Sequence, residues 1–170
     1  LTRAGFGFVE IGAATPLLMT LIIDHPACAR MCVTVQKELV DRLTAVPRQK
    51  DYGPISVIAT LACEVTKIAT APGGCFWPPP EVTSAMVRLV RHSAADAPSA
   101  EELRRISALA EMLFQKRRKQ IGGLWREARE VLGVPPLDEL RTRAALAHVH
   151  PAMRAEELTP GDYRAIAAIG

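Results

Sequence analysis

Three consecutive prolines, Pro78-Pro79-Pro80, constrain this chain more than any other feature. Each proline fixes its own φ and removes a backbone donor. Each also pushes the preceding residue toward extended geometry. The segment is therefore stiff and extended, and it follows two aromatic residues, Phe76 and Trp77. Directly after it, Val82, Ser84, Met86, Arg88 and Val90 alternate with Thr83, Ala85, Val87 and Leu89. That alternation predicts a strand. A rigid aromatic shelf at a strand entrance suits a site that holds a flat ring. It equally suits a proline-stiffened loop whose aromatic rings cap a core.

The rest of the chain divides near residue 93. His92 to Ala100 is rich in Ala, Ser and Pro and reads as a linker. Upstream, helical and strand patterns alternate. Thr15-Pro16 opens a helix to about Asp24. Ala29 to Val35 is a short apolar run suited to a buried strand. Leu39, Val40 and Leu43 are spaced for a helix, and Pro47 to Gly53 is a loop. Ile55 to Ala62 reads as a helix with a strand as the alternative, and Glu64 to Thr70 as a strand. Such alternation implies an α/β sheet, here part of one. Downstream the pattern is helical. Ser99 and Glu102 form a capping box, and Leu103, Ile106, Leu109, Ala110, Leu113 and Phe114 share one face. Gly122-Gly123 interrupts or ends that pattern. Leu124 to Leu132 and Leu137 to Leu146 are further helices. Thr159-Pro160 opens the last, with Tyr163, Ile166 and Ile169 facing inward. The expected domains are thus residues 1–93 and 94–170.

Composition agrees with a globular cytoplasmic protein. Of 170 residues, 49% are hydrophobic, which excludes disorder. No apolar run has the length of a membrane helix, and no signal peptide is evident. Four cysteines are sparse for a disulfide scaffold. Cys28 and Cys32 are spaced for one helix face, but no second pair completes a zinc site. His148-Val149-His150 lacks a nearby carboxylate or thiolate partner, so no metal is expected.

The net charge of +3 says little, whereas its clustering says more. Lys116, Arg117, Arg118 and Lys119 are consecutive, Arg126 and Arg129 follow, and Glu127 is the one acid between 115 and 129. Read as a helix, four such residues splay over more than one turn, so some face solvent. There they would serve as phosphate contacts or as a solvated helix end.

Five blocks, in order, resemble the ribosomal RNA adenine dimethyltransferases of the small subunit. They are Gln36-Lys37-Glu38-Leu39-Val40-Asp41-Arg42-Leu43, Tyr52-Gly53-Pro54-Ile55-Ser56-Val57, and Phe76 to Leu89 with its prolines, Ser84 and Arg88. Phe114-Gln115-Lys116-Arg117-Arg118-Lys119 and Pro151-Ala152-Met153-Arg154-Ala155-Glu156-Glu157-Leu158 complete the set. The resemblance runs from about Thr15 to the C-terminus. It implies the second half of a doubly wound, Rossmann-like methyltransferase sheet ending in an antiparallel hairpin, followed by a small helical domain that helps to grip rRNA.

The resemblance also implies S-adenosylmethionine as methyl donor and adenine N6 of small-subunit rRNA as acceptor, in a cytoplasmic monomer without metal or membrane attachment. Phe76 would stack on the target base. Pro78, Pro79 and Pro80 would brace it, and Ser84 would tie down the strand entrance. Gln36, Lys37, Glu38 and Arg42 would form a structural network at a helix start. Lys116, Arg117, Arg118, Lys119 and Arg126 would contact the RNA.

Two features of the family are missing. Its N-terminal half, with a Gly-rich turn and an acid for the cofactor ribose, cannot be found. Where it has Asn-Leu-Pro-Tyr, this chain has Phe8, Val9, Glu10 and Ile11. Phe8 cannot accept a hydrogen bond from the adenine amino group, and Ile11 is a poorer stacking partner than an aromatic. Residues 1–14 are therefore expected to be a damaged or misread stretch, or a mark of a degraded paralogue. The chain alone is expected to be inactive and to bind no cofactor tightly. The alternative function is a non-catalytic RNA-binding or ribosome-assembly module.

Overall fold

A computed structural model of the chain describes residues 14–75, 77, 82–93, 95–141 and 146–168. The elements run in the order α1 (Ala14–Asp24), β1 (Arg30–Gln36), α2 (Lys37–Thr44), α3 (Pro54–Ala62), β2 (Cys63–Ala71), β3 (Ser84–Arg91), α4 (Ala100–Gln115), α5 (Ile121–Leu132), α6 (Leu137–Arg141) and α7 (Pro160–Ala167). Short 3-10 turns occupy Gly73–Cys75 and Ala155–Glu157.

The three strands form one sheet in the order β1-β3-β2, with β3 antiparallel to both neighbours. The outer strands are therefore parallel to each other, and the crossover between them carries α2 and α3. The alternation expected after the prolines is realised in β3. Ala85, Val87 and Leu89 are buried, while Met86 and Arg88 are exposed. The inner face packs against α2 and α3. On the outer face, Arg30, Cys32, Thr34, Met86, Arg88 and Ala69 are exposed. A bulge between Lys67 and Ala69 leaves Ile68 half exposed at the edge.

The central element is α3. Ile55, Ser56, Val57, Ile58, Ala59 and Ala62 are all buried, so the helix is enclosed on nearly every side. A helix apolar all round belongs in an interior. It packs on β2 and on α2, and also against α4 and α7. One continuous apolar core consequently includes Val87 and Leu89 of the sheet as well as Leu109, Leu113 and Ile166 of the helical part.

Local signals explain the helix starts. At α4, Ser99 Oγ accepts from Glu102 N–H at 3.2 Å, and Glu102 accepts from Ser99 N–H at 2.7 Å. The last helix repeats the device with Thr159 and Asp162, at 3.2 and 2.8 Å. Each box satisfies donors that a helix N-terminus otherwise leaves open. The C-terminus of α1 is closed from a distance: Arg91 donates to the carbonyls of Leu21, Ile22 and His25 at 3.2, 2.8 and 3.3 Å.

Several local expectations are corrected. Thr15 lies inside α1 rather than before it. Cys28 precedes β1 and Cys32 is on it, so the pair shares no helix face. Gly122 and Gly123 form the first turn of α5 instead of breaking a helix. Gly122 is needed there: a Cβ would meet Pro151 Cβ at 2.8 Å and its carbonyl oxygen at 3.0 Å. The helix expected from Leu137 to Leu146 is described only to Arg141. The stretch after β3 is docked rather than loose: Ser93 Oγ donates to Asp96, and Arg164 holds the Asp96 carbonyl at 3.0 Å. Ile169 lies outside the described residues.

Candidate nucleic-acid interface

Three motif blocks far apart in sequence meet at one junction between the sheet-bearing part and the helical part. Tyr52, in the loop between α2 and α3, is buried and donates its hydroxyl to the Leu158 carbonyl at 2.9 Å. Tyr163 on α7 donates to the Ala155 carbonyl at 2.9 Å. Phe114, near the end of α4, lies between the two rings, 5.9 Å from Tyr52 edge-on and 6.4 Å from Tyr163 stacked. Such pairs add to area burial through ring electrostatics. Burial raises the pKa of both tyrosines, with Asp162 adding to the effect in each and Tyr52 also acting on Tyr163. Both stay neutral donors.

The adjoining Ser56 is fully buried. Its hydroxyl donates to the Arg42 carbonyl at 2.6 Å and accepts from Gly53 N–H at 3.0 Å. The Tyr-Gly-x-x-Ser spacing therefore joins the end of α2 to the start of α3 while sending Tyr52 into the helical part.

The cationic run crosses this junction. It is not helical: α4 ends at Gln115, and residues 116–119 form the turn before α5. Its members differ sharply. Lys116 pairs with Glu127 at 2.8 Å. Each nitrogen of the Arg117 guanidinium donates one hydrogen bond. Nε donates to Glu156, Nη1 to the Lys50 carbonyl at 2.6 Å and Nη2 to the Gln49 carbonyl at 3.0 Å. Arg118, Lys119 and Arg126 are exposed and form no ion pair among the described residues.

A second element of the same surface is the α2–α3 loop. Arg48 has φ 72°, in the left-handed region that side chains rarely adopt. Its N–H donates to the Glu156 carbonyl at 2.8 Å, and its guanidinium lies 3.4 Å from Glu157. This turn aims the carbonyls of residues 49 and 50 at Arg117. The sequence reading did not single out Lys50, Tyr52 or Glu156. The Tyr-Gly and Arg-Ala-Glu blocks marked resemblance but not mutual contact.

Other expected site residues fall elsewhere. On α2, Lys37 pairs with Asp41 and Arg42 with Glu38, each one turn apart. The network foreseen there is thus two intrahelical ion pairs. Gln36 precedes the helix without a side-chain cap bond. Ser84 begins β3 and is half-buried. Phe76 and Pro78, Pro79 and Pro80 lie outside the described residues, as do Phe8, Val9, Glu10 and Ile11. Trp77, between them, is 95% exposed.

A depression of about 190 Å³ opens beside Ala14, Thr15, Gln36, Glu38 and Arg42. It is smaller than the ~300 Å³ at which ligand pockets usually begin, and its one carboxylate, Glu38, is paired with Arg42. No cluster of three or more metal-ligating side chains occurs among the described residues. The sequence reading gave His148 no carboxylate neighbour, but its Nε2 lies 3.1 Å from the Asp162 carboxylate, which the fold brings in from α7. No described helix is long and apolar enough to cross a membrane.

Comparison with known proteins agrees with this architecture. The chain is 39% identical over 158 residues to ribosomal RNA small subunit methyltransferase A of Cronobacter sakazakii, and 37% identical to that of Klebsiella pneumoniae. Each match covers 93% of this chain but 54% of the relative, so the chain spans about half the length of these proteins. The fold matches a crystal structure of a dimethyladenosine transferase from Plasmodium falciparum, with a TM-score of 0.71, 21% identity, and coverage of 94% of this chain and 63% of that one. It also matches the 23S rRNA methyltransferase ErmE, with a TM-score of 0.59, 22% identity, and coverage of 94% and 62%. A sequence profile for ribosomal RNA adenine dimethylases matches residues 6–135, beginning nine positions before Thr15, and on that match the chain belongs to the ribosomal RNA adenine dimethylase family.

Proposed function

We propose that this chain is the RNA-positioning portion of an S-adenosylmethionine-dependent enzyme that dimethylates adenine N6 in small-subunit rRNA. The methylation belongs to the complete protein. The observation that carries the reading is the unpaired cationic set Arg118, Lys119 and Arg126, exposed on a chain of the adenine dimethylase family. Division of labour falls near residue 93: the sheet part presents the base, and the helical part grips the backbone.

A base acted on by such an enzyme must leave its stack. Phe76 is assigned to stack on it, with Pro78, Pro79 and Pro80 as the brace and Ser84 at the strand entrance. S-adenosylmethionine supplies an electrophilic methyl group. Its binding is assigned to the complete protein, since the Gly-rich turn and ribose acid expected of the family are not found in this sequence.

Salt-dependent binding to a small-subunit rRNA fragment tests the RNA face. Reversing Arg118 and Lys119 to Glu is expected to weaken binding at least tenfold at moderate salt. Binding equal to the parent would sink the assignment. The second reading is a non-catalytic module, favoured by the replacement of Asn-Leu-Pro-Tyr with Phe8, Val9, Glu10 and Ile11. Calorimetry with S-adenosylmethionine addresses the cofactor: no heat of binding is expected from this chain, and micromolar affinity would overturn that.

A further inference from the structure

We propose that Lys50 is an RNA-backbone contact on the same surface as Arg118 and Lys119, and that Arg117 is the strut holding it there rather than a contact itself. The inference rests on the RNA-face reading above and extends it to the α2–α3 loop.

The case begins with the guanidinium. Arginine has five N–H donors in a rigid planar fork and no acceptor. In Arg117 all three nitrogens already donate: to Glu156, to the Lys50 carbonyl at 2.6 Å and to the Gln49 carbonyl at 3.0 Å. Two N–H groups, one on each Nη, remain open, but a carboxylate and two backbone carbonyls already fix the fork's position and orientation. The same bonds place the backbone of Lys50 one guanidinium away from the residue preceding Arg118. Arg48 fixes the loop from the other side, through its left-handed backbone and its N–H bond to the Glu156 carbonyl.

The charges around Lys50 sort themselves. Glu156 is taken by Arg117, and Glu157 by Arg48 and by the Arg154 N–H. Asp51 is exposed and is the one neighbouring acid in the loop without an ion pair among the described residues. Lys50 itself is exposed and also has no such pair. Lys50, Arg118 and Lys119 therefore present three cations without ion pairs among the described residues, from two segments, with the Asp51 carboxylate next to the first. A flexible ammonium on one segment and a fork on the other suit the repeated phosphates of a folded RNA strand. An acidic protein surface would present carboxylates at irregular spacing, and the family assignment favours RNA.

The experiment is binding of the full chain to a duplex-containing small-subunit rRNA fragment over a range of salt. Each lost phosphate contact lowers the slope of log K against log salt by roughly 0.7 to 0.9. Lys50→Gln and Arg118→Gln are each expected to lower it by about that amount and to weaken binding several-fold. In an Arg117→Met background, Lys50→Gln is expected to have little further effect, because the loop no longer presents the lysine. Glu156→Gln keeps the cation at 117 but loosens the strut, and should shrink the Lys50 effect in the same way.

A normal slope for Lys50→Gln beside a reduced one for Arg118→Gln overturns this inference and leaves the RNA face intact. Normal slopes for both overturn the face as well. A full Lys50 effect in Glu156→Gln and in folded Arg117→Met, checked by circular dichroism, overturns the strut role. If Arg117→Met does not fold, Glu156→Gln decides.

Discussion

The junction around Tyr52, Phe114 and Tyr163 and the outer face of the sheet lie in the same small protein, yet they are built on opposite terms. At the junction, Tyr52 and Arg117 find defined carbonyl or carboxylate acceptors 39 to 106 residues away in the chain. On the outer face, Arg30, Cys32, Thr34, Met86 and Arg88 are exposed. The difference teaches that resemblance motifs are not all reaction sites. The Tyr-Gly-x-x-Ser and Arg-Ala-Glu blocks are joints. Cations that lack a partner, such as Arg118 and Lys119, are the ones left for a ligand. Charge alone would not separate them, since Arg42 and Arg117 are chemically identical to Arg118 and are both engaged.

The contrast can be broken by substitution. Leu113 is fully buried where α4 meets the core, and Leu113→Ala is expected to cost about 2–5 kcal/mol in denaturant unfolding. A loss below about 1 kcal/mol would mean the helical part is loosely packed. Tyr52→Phe leaves the Leu158 carbonyl without its donor and should cost about 1–3 kcal/mol. Gly122→Ala gains roughly 1 kcal/mol of helix propensity. The collision with Pro151 at 2.8 Å should outweigh that gain, for a net loss of about 1 kcal/mol. On the sheet's outer face, Met86→Lys should change stability by no more than about 0.5 kcal/mol, because the side chain is already 40% exposed. A large loss there would show that this face is covered in solution.

Alkaline titration sharpens the same contrast without mutation. Both junction tyrosines have folded pKa values above the unfolded one. Their contribution is therefore complete below the unfolded value of about 10 and declines as pH rises from there through the folded values. The parent should lose stability above about pH 10, and Tyr52→Phe should lose less over that range. At the acid end, bonds from the Ser99 N–H and hydroxyl hold the Glu102 carboxyl below its ordinary value. The stability it adds is present above the unfolded value of about 4.3 and is lost as pH falls through the folded one. Ser99→Ala keeps the N–H bond, the larger cause, and should flatten that acid limb only in part.

Much of the fold could be read from local pattern. The period-two alternation in 82–90 gave β3, the apolar positions from Leu103 to Leu113 gave the buried face of α4, and Ser99 with Glu102 gave its start. Those features depend on neighbours within one turn or one pleat, so sequence carries them. The candidate site was legible as a composition, Lys116 to Lys119, but not as an arrangement. Reading the run as helical missed the Lys116 C-cap, because nothing local distinguishes a basic helix end from a basic turn. The glycines after it were misread for a related reason. A glycine breaks a helix by propensity, but Gly122 is required by Pro151, which lies 29 positions away.

The chain's own order of residues determined the strand β3, the starts of α4 and α7 and the family, because these follow from short-range sterics, capping and motif spacing. Tertiary structure alone decided which cations remain free. Arg117 and Arg118 are adjacent and identical in chemistry, and only the approach of Glu156 and the residue 49–50 carbonyls binds one and leaves the other in solvent.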